Sequence, residues 1–321
     1  MDNDRRILQI CTAVLLGAVI LRLLSGPLGT AAQKLDTSDI ATALLFLQTG
    51  RVVRLADTPQ QPLPEETQPL PTENPQKKPW VFTPADADLI ACNSYSGHEV
   101  DVAALLAQPL DWKDPGILIL HTHATESYRN TEGYMESSDY RTLDEKYNML
   151  SVGSYLAKLL SGTELRVHHD TTLHDYPSYN GSYENSRKTA QTCLQEDADI
   201  ELILDLHRDA MVDSLGNQIG YTVDTDSGAA AKVMLVVGVW NENWQENMAL
   251  AVKLHARLEQ LCPGICRPIS LRGSRFNQDL SAGALLIEVG AAGNTRAEAL
   301  RATEILAEAI ISLSAGAVYE E

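Results

Sequence analysis

"ILILHTHATES", residues 117–127, sets four apolar residues directly against His121, His123 and Glu126. A short, continuously apolar run bounded by polar residues is the pattern of a strand buried on both faces, and such strands belong to parallel sheets covered by helices. Two further stretches repeat it: "LILDL" (202–206) runs into His207, Arg208 and Asp209, and "ALLI" (284–287) runs into Glu288, Val289 and Gly290. In a parallel α/β sheet, ligands bind where the loops leave the carboxyl ends of the strands. Three strand ends carrying imidazoles and carboxylates are therefore expected on one rim.

Outward from these strands the pattern alternates. "DEKYNMLSVGSYLAKLLSG" (144–162) reads as a helix, with Leu143, Tyr147, Leu150, Leu156 and Leu160 on one helical face before Gly162, and "ELRVHH" (164–169) reads as a strand. "SYENSRKTAQTCLQED" (182–197) and "NWQENMALAVKLHARLEQL" (243–261) predict helices, and "KVMLVVGV" (232–239) predicts a strand between them. The last helix opens with Thr295 and Glu298 in capping-box spacing and presents Ala302, Leu306, Ala309 and Leu313. "LGNQIGYTVD" (215–224), with two glycines, reads as an inserted hairpin. The expected fold class is α/β: a mostly parallel sheet with helices on both faces.

The N-terminal part differs in kind. Arg5 and Arg6 precede an apolar run from Ile7 to Leu24, long enough to cross a hydrocarbon layer of about 30 Å, and Arg22 near its end can reach the interface. The arginine pair favours an N-terminus held inside and a chain exported. Residues 1–26 are accordingly read as a cytoplasmic N-terminus and uncleaved transmembrane anchor, in preference to a signal peptide cut near "GTAAQ". Residues 27–56 read as a juxtamembrane helical segment. Between Asp57 and Pro79, seven of 23 residues are proline and most others are polar, so 57–84 is expected to be an extended, disordered tether ahead of a catalytic domain at 85–321.

The chain has 321 residues, with 43 acidic against 25 basic side chains and a net charge of −18, which argues against a nucleic-acid partner because phosphate binding relies on clustered Lys and Arg. Five cysteines are too few for a disulfide scaffold. Cys262 and Cys266 in "LCPGIC" flank a turn and are expected to form a local bridge or two free thiols; a zinc site there would want two more thiolates, which the sequence does not place nearby.

Two histidines and a carboxylate form a facial set for Zn²⁺ with a fourth position open to water. A carboxylate at the end of a buried strand, as Glu288 is, has a raised pKa that suits a general base and acid. His168, His169, His174 and His255 read as capping or core residues.

"HTHATESY", "DLHRDA", "IEVGAAGN" and the "SVGSYLAKLL" helix resemble the stage II sporulation protein P family, which is similar to zinc-dependent N-acetylmuramoyl-L-alanine amidases of the amidase 3 type. The resemblance covers about residues 115–315. It implies an amidase 3-like fold and a zinc enzyme that cleaves the amide between N-acetylmuramic acid and the first L-alanine of peptidoglycan during engulfment, with an added endopeptidase activity on stem-peptide crosslinks. It also implies stage II sporulation proteins D and M as partners, and a single-pass membrane location with the catalytic domain outside. His207 matches the later zinc histidine and Glu288 the catalytic glutamate. The remaining ligands are expected to be His121 and Glu126, with His123 and Glu145 as alternatives, and Arg208 is expected to hold substrate or oxyanion. A peptidase confined to stem peptides and a non-catalytic wall-binding scaffold are the rival readings.

Overall fold

The structure, a computed structural model, describes residues 79–320 apart from 113 and 130–133. The chain divides into Met1–Gln61 and Pro62–Glu321, and the described residues all lie in the second unit. The expected anchor, juxtamembrane helix and most of the tether fall outside them. Among the described residues, no helix is long and apolar enough to cross a membrane.

The element order is β1 (Trp80–Phe82), β2 (Cys92–Ser94), α1 (Val102–Ala107), β3 (Gly116–Leu120), α2 (Met149–Ser161), β4 (Val167–His169), α3 (Ser182–Glu196) and β5 (Ile200–Asp209). Then follow β6 (Thr222–Thr225), β7 (Gly228–Ala231), β8 (Val233–Gly238), α4 (Trp244–Leu261), β9 (Ile269–Arg272), β10 (Gly283–Ala291), α5 (Arg296–Leu313) and β11 (Ala317–Tyr319). Seven strands form one sheet in the order β2-β9-β8-β10-β5-β3-β4. Every neighbouring pair is parallel except β8 with β10. The expected mostly parallel sheet is present, and the β8–β10 joint makes it two parallel blocks running in opposite directions.

Alternation along the strands divides the residues between two faces. Ile117, Ile119, Leu202, Leu204, Leu206, Leu285, Ile287 and Val289 join the main core, which α2, α4 and α5 close. On the other face Leu118, Leu120, Ile203 and Ala284 pack under α3 through Ala190 and Cys193. Helices thus lie on both faces, but unequally. α3 covers the β3–β5 side, and the β8–β10 side stays open over Met234, Val236 and Leu286.

Two local expectations shift and a third holds. The helix after Leu143 begins only at Met149, because the Asn148 side chain accepts from Leu150 N–H and caps it there, leaving Leu143 and Tyr147 outside. The hairpin falls later than "LGNQIGYTVD", with β6 pairing β7 from Thr222↔Ala231 to Thr225↔Gly228. The capping box at Thr295 and Glu298 is formed as expected.

Candidate active site

β3, β5 and β10 are adjacent and parallel, so their carboxyl ends meet, as the three polar strand ends require. His207 on β5 is the register partner of Glu288 on β10, and both side chains project on the open face. The pairing breaks between Glu288 and Ala291, where Gly290 takes φ +75°. A Cβ at Gly290 would come within 2.8 Å of Ala231 Cβ, so this turn of the strand depends on glycine.

Asp205 lies two residues before His207 on the same face, and its Oδ1 is 3.0 Å from His207 Nε2 without the alignment of a hydrogen bond. Asp205 accepts Thr122 N–H at 2.8 Å and Thr122 Oγ1–H at 2.6 Å. Burial pushes its carboxyl up, but His207 and these bonds outweigh it and hold the pKa below the usual value. On the other side of the ring, His207 Nδ1 is 3.5 Å from Glu126 Oε2. Burial disfavours the imidazolium, yet Asp205 and Glu126 raise the His207 pKa well above that of an ordinary histidine. The His123 ring stands edge-on to His207 with centroids 5.3 Å apart, and its other flank stacks on Tyr179 at 4.5 Å. Burial, with His207 adding, lowers His123 to about 4.

Glu126 is 5 % exposed, and its carboxylate is gripped by two arginines. Arg208 N–H donates to Oε2 at 3.2 Å and Arg208 Nη1 to Oε1 at 3.3 Å, while Arg141 Nη2 reaches Oε1 at 3.2 Å. Burial alone would raise Glu126, but Arg208 and His207 bring it down to about 2. Arg141 also donates to Asp175 at 2.6 Å, and Asp175 in turn accepts Thr125 Oγ1–H at 2.6 Å. The turn holding His123 and Glu126 is thereby clamped from outside the sheet.

Glu288 differs from these groups. Its Oε2 is buried and has no hydrogen-bond partner. Burial raises its pKa to about 8, with His207 opposing and Glu126 and Asp209 adding. His123, Glu126, His207 and Glu288 all line a cleft of about 620 Å³. It runs past Tyr183 and Phe276, over Met234, Val236 and Leu286, to Arg272.

The expected assignments are met unevenly. His121 does not face this cleft: its Nδ1 lies 3.2 Å from Leu206 O and its Nε2 3.0 Å from His169 Nε2, towards α2. The preference for His121 is corrected: it continues the two-residue period of Ile117 and Ile119 and so faces α2, whereas the turn over residues 122–125 brings His123 round to the cleft. His123 occupies the place expected of it. Glu145 is exposed and away from the cleft, whereas Glu126 lines it. Arg208 does border the cleft, but Nε donates to Ser127 O and Nη2 to Tyr140 O in addition to the Glu126 bonds. These bonds tie its guanidinium to Glu126 and to the segments carrying Ser127 and Tyr140.

Sequence reasoning missed Asp205, although an acidic residue inside "LILDL", two before a histidine, is a period-2 signal. Arg141 and Asp175 have no such signal; they come from irregular segments.

The donor set suits Zn²⁺ in kind: two imidazoles and a carboxylate beside a buried carboxylate oxygen with no partner. His207 Nδ1 and Glu126 Oε2 are 3.5 Å apart, and His123 Nδ1 has no hydrogen bond that would compete with an ion.

Stage II sporulation protein P of Bacillus subtilis (strain 168) is 29% identical over 206 residues, covering 60% of this chain and 49% of that protein, so the match spans about half the relative's length. Among solved structures, an N-acetylmuramoyl-L-alanine amidase from Clostridium difficile 630 has 15% identity and a TM-score of 0.39, covering 62% of this chain and 94% of its own. The catalytic domain of CwlV, an N-acetylmuramoyl-L-alanine amidase from Bacillus (Paenibacillus) polymyxa var. colistinus, has 13% identity and a TM-score of 0.38, covering 61% and 94%. The sequence profile of the stage II sporulation protein P family matches residues 56–311, most of the chain, and the protein belongs to that family.

Proposed function

We propose that this chain is a membrane-anchored, zinc-dependent peptidoglycan hydrolase that cuts the amide between N-acetylmuramic acid and the first L-alanine of the stem peptide during sporulation. The observation that carries the reading is the meeting of His123, Glu126 and His207 with Glu288 on one open cleft. His123, Glu126 and His207 would hold the ion, which when bound acidifies a water and polarises the scissile carbonyl.

The chain's own groups do the rest. Glu288 Oε2 takes the proton of the attacking water and returns it to the leaving amine nitrogen, a task suited to a carboxyl that burial has raised to about 8. Asp205 orients His207, and Arg208 with Arg141 keeps the Glu126 carboxylate in place. Beyond the reacting bond, the apolar floor of Met234, Val236 and Leu286 accepts the stem peptide, and Arg272 offers a positive charge to its carboxylates. The apolar run before Leu24 holds the enzyme at the membrane, and the proline-rich stretch gives it reach of about 3.1 Å per residue. Stage II sporulation proteins D and M are its partners on this reading, and crosslinks between stems are a second substrate.

The test is digestion of purified sacculi by the full-length protein, with mass analysis of the products. Glycan strands freed from intact stems are expected, and a chelator stops their release. Glu288→Gln should lower the rate by about 10²–10⁴-fold while zinc content stays unchanged. A normal rate in Glu288→Gln overturns the mechanism; products cut only within stems replace the amidase with a peptidase; a zinc-free, inert protein that still binds sacculi makes it a scaffold.

A further inference from the structure

On the face of the sheet away from the cleft, the turn after α4 gathers a second set of metal-type donors. Taken alone, Cys262 and Cys266 lack two companions. α4 supplies them: His255 and Glu259 are one turn apart on the same helical face, and Cys262 follows after a further turn. The chain then reverses at Gly264 (φ +85°) and returns Cys266 to the helix, beside Val233 at the start of β8. The ligand atoms of His255, Glu259 and Cys266 all lie within 4.8 Å of one another.

His255 is 2 % exposed, and its Nδ1 has no hydrogen-bond partner. A neutral imidazole nitrogen without a partner keeps a lone pair available to an ion. Glu259 is held by Gly264 N–H and Cys266 N–H, both at 2.7 Å, and each of its oxygens keeps a second lone pair. No basic residue occupies the last turn of α4, so the negative end of the helix dipole adds to the carboxylate and thiols. Lys232 is the nearby cation acting on Cys266, and Cys262 acts on it as well.

We propose that His255 Nδ1, the Glu259 carboxylate and Cys266 Sγ, completed by Cys262 Sγ, form a zinc site that fastens the C-terminal end of α4 to the edge of β8. Cys262 Sγ lies outside the close group of three and swings in as the fourth donor; four protein donors with no open position make the site structural. Zn²⁺ displaces the two thiol protons, which pass to solvent. The site is independent of the hydrolase reading, since it shares no residue with the cleft.

The test uses the reduced full-length protein with Co²⁺ in place of zinc. Thiolate-to-cobalt charge-transfer absorption in the near ultraviolet reports on a cysteine-bearing site, and no cysteine lines the cleft. The band is expected in the wild type and in His207→Ala, weakened by about half or more in Cys266→Ser, and absent when Cys262 and Cys266 are both replaced by Ser. Should Cys266→Ser not fold, His255→Gln keeps both thiols and must weaken the band, with at least a tenfold loss of cobalt affinity. No band in the reduced wild type, or a band unchanged in these folded variants, overturns the site.

Discussion

Within β5, Leu202, Leu204 and Leu206 point to one face of the sheet, and Ile203, Asp205 and His207 to the other. β10 repeats the division, with Leu285, Ile287 and Val289 against Leu286 and Glu288. The first face is closed by three helices, and to it β5 and β10 present only leucine, isoleucine and valine, which gain by leaving water. On the second face α3 covers one part, and the uncovered part concentrates buried charge and a carboxylate oxygen without a partner. Adjacent residues on a single strand thus serve opposite ends: one face stabilises the fold, and the other spends stability on polar groups aimed into a cleft. Substitutions on the two faces should differ in sign as well as in size.

The largest effect on stability belongs to the closed face. Leu204 is fully buried at the centre of the sheet, so Leu204→Ala removes apolar contacts and leaves a cavity. The expected cost is about 2–5 kcal/mol. Denaturant unfolding measures it. Activity per folded molecule should be unchanged, because the Leu204 side chain points away from His207 and Glu288. A large drop in turnover at full folding would erase the distinction between the faces.

A smaller effect is expected where the two regions touch. Gly153 in α2 lies against the back of the site, and a Cβ there would meet His121 Nε2 at 2.3 Å and His169 Nε2 at 2.5 Å. Gly153→Ala must therefore push His121 aside, at a cost of about 1–3 kcal/mol. Since His121 leads directly into the turn bearing His123 and Glu126, turnover should fall along with thermal stability. A second change, His121→Ala, relieves the clash and should recover much of the stability in a double-mutant cycle. Additive losses would mean that His121 does not transmit the strain.

The parts of this arrangement differ in how readable they are from sequence. The strands are legible because continuous apolar runs stop abruptly at His121, His207 and Glu288, and burial on both faces demands that composition. The choice between His121 and His123 is half legible, since period 2 puts His121 on the closed face with Ile117 and Ile119, while the turn that brings His123 to the cleft carries no periodic signal. Arg208 illustrates a different limit. Its position beside His207 is plain from sequence, but its role depends on Ser127, Tyr140 and Glu126, some 70 to 80 positions away. The antiparallel β8–β10 joint, which opens the cleft floor, likewise depends on strand order and not on any local pattern.

The smallest predicted effect has the opposite sign to the first two. Glu288 carries a folded-state pKa of about 8 against 4.5 for the free side chain, with burial as the main cause. Between these values the folded protein holds a proton that the unfolded chain has released, so stability is fullest below about pH 4.5 and declines as the pH rises through 8. Glu288→Gln keeps the shape and stays neutral, so it should abolish that decline. In chelator-treated protein the variant should melt above the wild type at pH 8, by on the order of 1–2 kcal/mol since the carboxyl opens onto a wet cleft, and the two curves should converge near pH 4. The same substitution is expected to destroy turnover. A variant less stable than the wild type at pH 8 would mean that the Glu288 carboxylate helps hold the fold, and the open face would then be one more packed surface.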